Sequence, residues 1–509
     1  MTNDAVLGVD LGTSVVKAGV YSMDGRQLAT SSRPLKLVHG PGGQVTQDLD
    51  EFYASASEAS RECVGGLPVK IKAAAFSGQM AGVGLVDSHH RALAAYDSWL
   101  DTRCGPEAAE LGSTLGERIT RTSGCAPTIS IGPKLLWWHR HHSSVLAGAA
   151  SFVTAAGYVA GRAVGLSGSE AFIDPSYLHF ASFADVGAGA WDDELVEIAG
   201  LRPELLPRVV ESTAIVGSFT ASAAADFGLD SRVPVAAGCG DTAASALGAG
   251  VSEAGQAFDV AGTAGVFGVC VPAFVPDQDS RTLMTMRSAF PGLWYELAYV
   301  GGAGQLIEWV CRQILGHDRL DAVAYADLGA AVSRVPVGCD GVIMFPHMMG
   351  RVAPAAPWVR GTYAGLSPTT TREHLARAAL EAIAYEYLGY ADLVRAQIGP
   401  NAITEVIGAG GGSRLAAWNQ IKADALQTTY RPVVGIDPGT RGAALVAMAA
   451  IGKPCPPLHP SDIRASAVPD ASAGAAFRRG YMTYRRWADA LVSAYGQISQ
   501  VDSLKEEAD

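Results

Sequence analysis

Apolar and polar positions alternate along this chain in two rhythms, and the opening residues set the first. Residues 5–9 (Ala-Val-Leu-Gly-Val) form an apolar run that stops at Asp10 and a Gly-Thr pair, which predicts a buried strand entering a tight turn. Residues 15–21 alternate as a returning strand, residues 23–26 (Met-Asp-Gly-Arg) carry a hairpin signal, and residues 27–31 predict a third strand. A related pattern stands halfway along the chain. Residues 257–260 lead into Ala-Gly-Thr-Ala-Gly at 261–265, and 266–271 return before Pro272. This weak internal repeat predicts two similar α/β domains facing each other, each lending a Gly-Thr turn to one cleft, with a hinge at 248–255. The second rhythm has a three- and four-residue spacing. It predicts helices at 50–63, 304–315, 372–397 and 415–427, and a last amphipathic helix at 471–495 before a frayed polar tail at 502–509. Strands alternating with helices make the class α/β.

Composition narrows the picture. The 509 residues suggest two or three domains, and 49% hydrophobic against 17% charged residues is ample for large buried cores. A formal charge of -12 with no Lys/Arg cluster argues against nucleic acid as a partner, while still allowing one ATP held by backbone dipoles and Mg²⁺. Eight scattered cysteines without a C-x-x-C pair fit free thiols in a reducing compartment. The longest apolar stretch, 145–161, is interrupted by Ser151 and Thr154 and reads as a buried strand and helix rather than a membrane span. The N-terminus is acidic and unlike a signal peptide, so the expectation is a cytoplasmic protein without a membrane partner.

Four segments carry candidate chemistry, each with an ordinary alternative. In 10–17 (Asp-Leu-Gly-Thr-Ser-Val-Val-Lys), Gly12, Thr13 and Ser14 can offer N–H groups and hydroxyls to a phosphate, Asp10 can hold Mg²⁺, and Lys17 can neutralise an oxygen. A plain hairpin with a capping Asp is the alternative. In 233–248 the pattern is strand, glycine turn, Asp241, helix. Asp241 is either a helix cap or a general base kept ionised by the helix dipole. Gly410, Gly411 and Gly412 let a ligand lie flat against the backbone, although no P-loop or dinucleotide fingerprint occurs. Gln79, Met80 and Ala81 follow one strand, and Trp99, Asp101 and Arg103 follow another. An indole, a carboxylate and an amide suit a sugar, though Trp99 could be core and Asp101 and Arg103 a surface pair. The run 137–142, rich in Trp and His, is not read as a metal site, because adjacent histidines on a helix diverge.

In this order the pieces resemble the FGGY carbohydrate kinases, a branch of the actin-like ATPase and hexokinase superfamily, from about residue 5 to residue 450. The most specific element is Gly361-Thr-Tyr-Ala-Gly-Leu366, then seven residues to His374-Leu-Ala-Arg-Ala-Ala-Leu-Glu381, which fits the family's C-terminal signature throughout. A second signature around Lys134-Leu-Leu-Trp137 matches in part, with Ile131 replacing a small polar residue or Pro. The resemblance implies two ribonuclease H-like domains flanking an ATP and sugar cleft. Their expected extents are 1–250 (sugar, first phosphate turn, catalytic Asp241) and 251–455 (second phosphate turn, adenosine), with a C-terminal helix and tail at 456–509. By the same resemblance Gly262 and Thr263 form the second phosphate turn, and Gly304 with Gly410–Gly412 holds adenosine. Asp241 is the base and, with Asp10, faces Mg²⁺; Gln79, Met80, Ala81, Trp99, Asp101, Arg103 and Thr242 meet a small sugar or polyol. The substrate loops look most like those of pentulose kinases of the xylulokinase kind. Three residues depart from that pattern: Ala81 replaces a His, Thr242 an Asn and Leu415 a small polar residue. The first two bear on substrate choice. A homodimer is left open, and a silent sugar sensor or a sugar-independent ATPase are the rival readings.

Overall fold

The computed structural model describes residues 3–229, 232–262 and 265–506. The chain opens with an antiparallel meander of β1 (Asp4–Leu11), β2 (Val15–Ser22) and β3 (Gln27–Pro34). β1 is apolar on both faces because it runs through the middle of a covered sheet, whereas edge strand β3 is largely exposed and ends on a proline. Helix α1 (Leu49–Val64), capped by the Asp48 carboxylate on the Asp50 N–H, crosses to β4 (Lys70–Gly78), which lies parallel to β1. Helix α2 (Ala155–Val164), the edge strand β5 (Ile215–Ser218) and β6 (Pro234–Gly240) complete a sheet of order β5-β6-β4-β1-β2-β3. The 145–161 stretch does divide into a short helix, strand Ser151–Val153 and the start of α2. Helix α3 (Asp241–Gly248) leaves the end of β6 directly.

The second half repeats this plan. β7 (Gln256–Ala261), β8 (Gly265–Val271), β9 (Met284–Arg287) and β10 (Trp294–Val300) are antiparallel, in the order β9-β10-β8-β7. Helix α4 (Arg372–Ile398) then crosses to β11 (Glu405–Ala409), parallel to β7. Helix α5 (Ala416–Leu426) leads to β12 (Tyr430–Pro432) at the edge. The weak sequence repeat is therefore a repeat of topology: a set of antiparallel strands, a crossover helix, then parallel strands. The last helix, α7 (Ala471–Glu506), continues beyond 495 through residues where a frayed tail was expected. Its Tyr484 donates to Glu386 and its Phe477 joins the core of the second half.

Helix α6 (Pro438–Ala450) ties the halves together. Asp437 caps it and Pro438 occupies the first turn, where no N–H is missed. Although it belongs to the second half in sequence, it lies against β1 and α3 of the first. A Cβ on Gly8 would come 2.1 Å from Thr440 O, one on Gly442 1.9 Å from Ala244 O, and one on Gly248 1.8 Å from Pro438 O. Only glycine permits backbones this close. One apolar cluster accordingly runs through Val6, Ala244 and Leu247 to Phe258, Ile407 and Leu445. Among the described residues no helix is long and apolar enough to cross a membrane.

Candidate active site

Three neighbouring parallel strands of the first sheet end together. Leu11 pairs with Gly78, and Gly78 with Gly240, so Gly12, Gln79 and Asp241 leave the sheet side by side. Crevices at the carboxyl ends of such strands are where open α/β sheets bind ligands. Ser77 opposes Asp10 in register and its hydroxyl donates to the Asp10 carboxylate at 2.7 Å. Gly439 of α6 closes over the same carboxylate, since a Cβ there would sit 2.5 Å from Asp10 Oδ2.

Asp241 is the first residue of α3, and the cap position belongs to Gly240, so Asp241 is not the helix cap. Its side-chain hydrogen-bond partner is the Thr242 hydroxyl at 3.2 Å. The helix dipole was expected to keep this acid low. Burial instead pushes it up to about 7, the Asp10 charge adds to the rise, and Thr242 only partly opposes it. Asp10 is raised to about 6, again mainly by burial, with Ser77 pulling down and Asp437 pushing up. Two crowded carboxyl groups thus share the strand ends. Burial works against the Lys17 ammonium, but its 2.6 Å pair with Asp437 holds its pKa above the usual lysine value. Lys17 and Asp437 line an open pocket of about 470 Å³ together with Arg414, just beyond Gly412.

The other candidate loops meet at Thr13. Trp99, 45% exposed, donates its indole N–H to Thr13 Oγ1 at 2.8 Å, so it is neither core nor free of the turn. Gln79 is buried and donates to Gln47 Oε1 at 2.7 Å, and Gln47 donates to Thr13 O at 2.8 Å. Met80 packs on Gly240, where a Cβ would lie 2.7 Å from its sulfur. Ala81 is buried in the left-handed region, with φ 61°, a strained place for a residue with a Cβ. Asp101 and Arg103 are not a surface pair. Asp101 is buried, accepts from Val45 N at 2.9 Å and from Arg103 Nε at 3.0 Å, and Arg103 stacks over Trp137 at 4.1 Å while reaching Asp97. This cluster braces the loop that carries Trp99. His141 and His142 pack on Trp137.

In the second half, Val260 pairs with Ala409 across parallel strands, so the turn at Gly262 lies beside the loop Gly410–Gly412. Thr263 lies outside the described residues. Gly410 takes φ 82° and Gly410 and Gly411 are exposed; Ser413 donates back to Gly410 O at 2.8 Å, and Asn419 to Ser413 O at 2.7 Å. Gly304 is in the first turn of helix Ala303–Trp309, which follows the left-handed Gly302.

Residues 5–248 match the N-terminal domain and residues 258–451 the C-terminal domain of the FGGY family of carbohydrate kinases. The chain belongs to this family. It is 28% identical to the xylulose kinase of Escherichia coli (strain K12), over 94% of this chain and 98% of the relative. It is 24% identical to a gluconokinase of Bacillus licheniformis, over 88% of each. Its fold superposes on the crystal structure of xylulose kinase from Rhodospirillum rubrum with a TM-score of 0.86, at 26% identity, covering 97% of this chain and all of that one. This FGGY kinase is therefore an ATP-dependent carbohydrate phosphotransferase with the two-domain actin/hexokinase-like fold.

Sequence reasoning passed over three groups at this FGGY site. Gln47 sits in an unremarkable three-residue strand, Val45–Gln47, with no motif to mark it. Asp437 meets Lys17 from 420 residues away. Asp174 is the third. It accepts from Ser176 N and Oγ and from Ser212 Oγ, at 3.1, 3.0 and 2.6 Å, and Ser176 Oγ in turn accepts the Gly240 N–H at 2.8 Å. That chain fixes the strand end from which Asp241 projects. An Asp-Pro-Ser turn is the one local signal that could have pointed to it.

Proposed function

We propose that this FGGY kinase transfers the γ-phosphate of ATP to a hydroxyl of a small ketose, a pentulose such as D-xylulose, with Asp241 as the general base. The observation that carries this reading is the Asp241 carboxylate: it leads a helix it does not cap, at a strand-end crevice, with its pKa lifted to about 7. A base must lose its proton at the operating pH yet still want one from an alcohol, and a value near neutrality serves both needs. In this reading the phosphates lie against Gly12, Thr13 and Ser14 on one side and Gly262 and Thr263 on the other. Lys17 neutralises a phosphate oxygen, and adenosine lies toward Gly304 and Gly410–Gly412. The pocket that Lys17 and Arg414 share supports a nucleotide reaching between the halves.

The sugar meets Gln79, Met80, Ala81, Trp99 and Thr242, with Asp101 and Arg103 bracing the Trp99 loop. Asp10 and Asp241 would hold Mg²⁺ beside the phosphates of the nucleotide. Two carboxyl groups whose repulsion raises Asp241 suit a cation beside them, and one or two carboxylates plus phosphates and water is a usual Mg²⁺ environment. The cation supplies charge neutralisation at the transferring phosphoryl group. Asp241 takes the hydroxyl proton, while the turns and Lys17 align the phosphate, which is most of what phosphoryl transfer requires.

A coupled ADP-release assay with MgATP tests the reading across D-xylulose, other ketopentoses, pentitols, tetritols, glycerol and D-gluconate. D-xylulose is expected to give the highest kcat/KM. A clear preference for a polyol or for gluconate would move the substrate. No sugar-dependent ADP release at all would remove the kinase reading.

A further inference from the structure

The hydrogen bonds around Thr13 form a closed circuit. Its start is a backbone carbonyl, which can only accept. Thr13 O faces Gln47 at 2.8 Å, so Gln47 must turn its NH₂ toward it. That orientation leaves Gln47 Oε1 for Gln79, which must present its own NH₂, at 2.7 Å. Gln79 Oε1 is then left for the Ser98 hydroxyl, at 3.4 Å. The next residue, Trp99, returns to the start by donating to Thr13 Oγ1 at 2.8 Å. One carbonyl thus sets the direction of two amides in series, and both ends of the circuit fall on adjacent residues of one loop. Gln47 and Gln79 are buried, so water does not compete for these bonds, while the Trp99 indole keeps one exposed flank.

We propose that Gln47 is a positioning residue that couples the sugar and nucleotide sites, with the circuit Ser98–Gln79–Gln47–Thr13–Trp99 as the link. A sugar on the open face of Trp99 and beside Gln79 holds the loop that carries both ends of the circuit. Thr13 is then pinned at its carbonyl and its hydroxyl oxygen, while its backbone N–H and its hydroxyl proton stay free for a phosphate. Binding either substrate orders the turn that the other needs, so each raises the affinity for the other, by the same factor. The inference rests on reading residues 12–14 as a phosphate turn and Gln79 and Trp99 as sugar contacts.

The test is calorimetric binding of AMP-PNP with and without saturating sugar, in the full chain, Gln47→Met, Trp99→Phe and the double variant. The sugar is whichever ketopentose, polyol or gluconate of the ADP-release panel the wild type turns over fastest. Methionine keeps the volume of Gln47 without its two hydrogen bonds, and phenylalanine keeps a ring without the indole N–H. Trp99 is half-exposed, so its variant remains informative should the buried one fail to fold. The wild-type affinity ratio is expected within about 5- to 150-fold, the usual span for coupled sites. Each single variant should cut that ratio by about threefold or more, and the double variant should bring it to within about twofold of unity. A merely structural role would weaken AMP-PNP equally with and without sugar and leave the ratio alone, and that result overturns the proposal. So does a wild-type ratio near one. If the wild type turns over no sugar or polyol of the ADP-release panel, the functional reading of the site falls and takes the relay with it; turnover with an unchanged ratio removes the relay alone.

Discussion

Changing the pH from 6 to 8 should raise kcat/KM of this kinase about tenfold, and the size of that rise follows from the surroundings of Asp241. A free aspartate has a pKa near 4 and would be fully ionised throughout this range, leaving the profile flat. Burial at the strand ends, reinforced by the Asp10 charge, moves Asp241 to about 7. About 10% of the molecules then carry an ionised base at pH 6 and about 90% at pH 8. The ratio kcat/KM reports the free enzyme, the state in which Asp241 is raised to about 7. Initial rates of ADP release with both sugar and MgATP subsaturating, taken at half-unit pH intervals, measure the limb directly. Asp241→Asn should fold normally and lose about 10²- to 10⁴-fold in turnover, the range that general-base removal gives. Thr242→Val removes the one hydroxyl that opposes the rise, so its limb should move to higher pH while activity persists on the plateau. A flat profile between pH 6 and 8 in an enzyme for which Asp241→Asn keeps more than a tenth of its activity would refute the assignment of the base and the desolvation argument together.

Three further outcomes can be checked independently. Lys17→Met should raise KM for ATP by about ten- to a hundredfold while leaving sugar affinity within a few-fold, since it removes one charge-assisted phosphate contact; equal losses for both substrates would argue that the Lys17–Asp437 pair is structural. Gly238→Ala should destabilise the fold by on the order of 3 kcal/mol or abolish soluble expression, because Gly238 has φ 80° and a Cβ there would meet Phe76 O at 1.8 Å; a denaturation midpoint equal to wild type would contradict this. Glu296 is buried on β10 with no partner for either carboxylate oxygen among the described residues, and burial pushes its pKa up to about 8. An acid raised on folding is most compatible with the native state below its unfolded pKa of about 4.5 and costs stability as the pH climbs toward 8. Glu296→Gln should therefore raise Tm by about 2–4 °C at pH 8, with a smaller gain at pH 5; a gain that does not grow with pH would show that Glu296 does not ionise on unfolding.

Much of the site was legible before folding, and particular residues show why. Asp10, Gly12 and Thr13 announce themselves because an apolar run ending in a Gly-Thr pair is a local pattern, and so is the passage from strand through glycine turn to helix at Asp241. Trp99 was named, but as a side chain on its own. That its indole is fastened to Thr13 depends on two loops separated by 86 residues. Gln47 carried no signal because a glutamine in a short strand is ordinary in sequence. It matters only where tertiary packing sets it between Thr13 and Gln79. The direction of the Asp241 shift was misjudged for a related reason. The helix dipole is a local property that sequence reveals, whereas desolvation and the nearness of Asp10 come from three strands assembling.

The sequence by itself determined the α/β class, the first Gly-Thr turn, the helices α1, α4, α5 and α7 and the family signature, all written in nearest neighbours and short periods. Only the tertiary structure decided that α6 crosses back onto β1, that Asp437 takes hold of Lys17, and that four polar side chains close a circuit on Thr13. The physical reason is range. Hydrophobic periodicity and turn preference act over a few residues, while burial, charge repulsion and hydrogen-bond direction depend on which distant segments share a site.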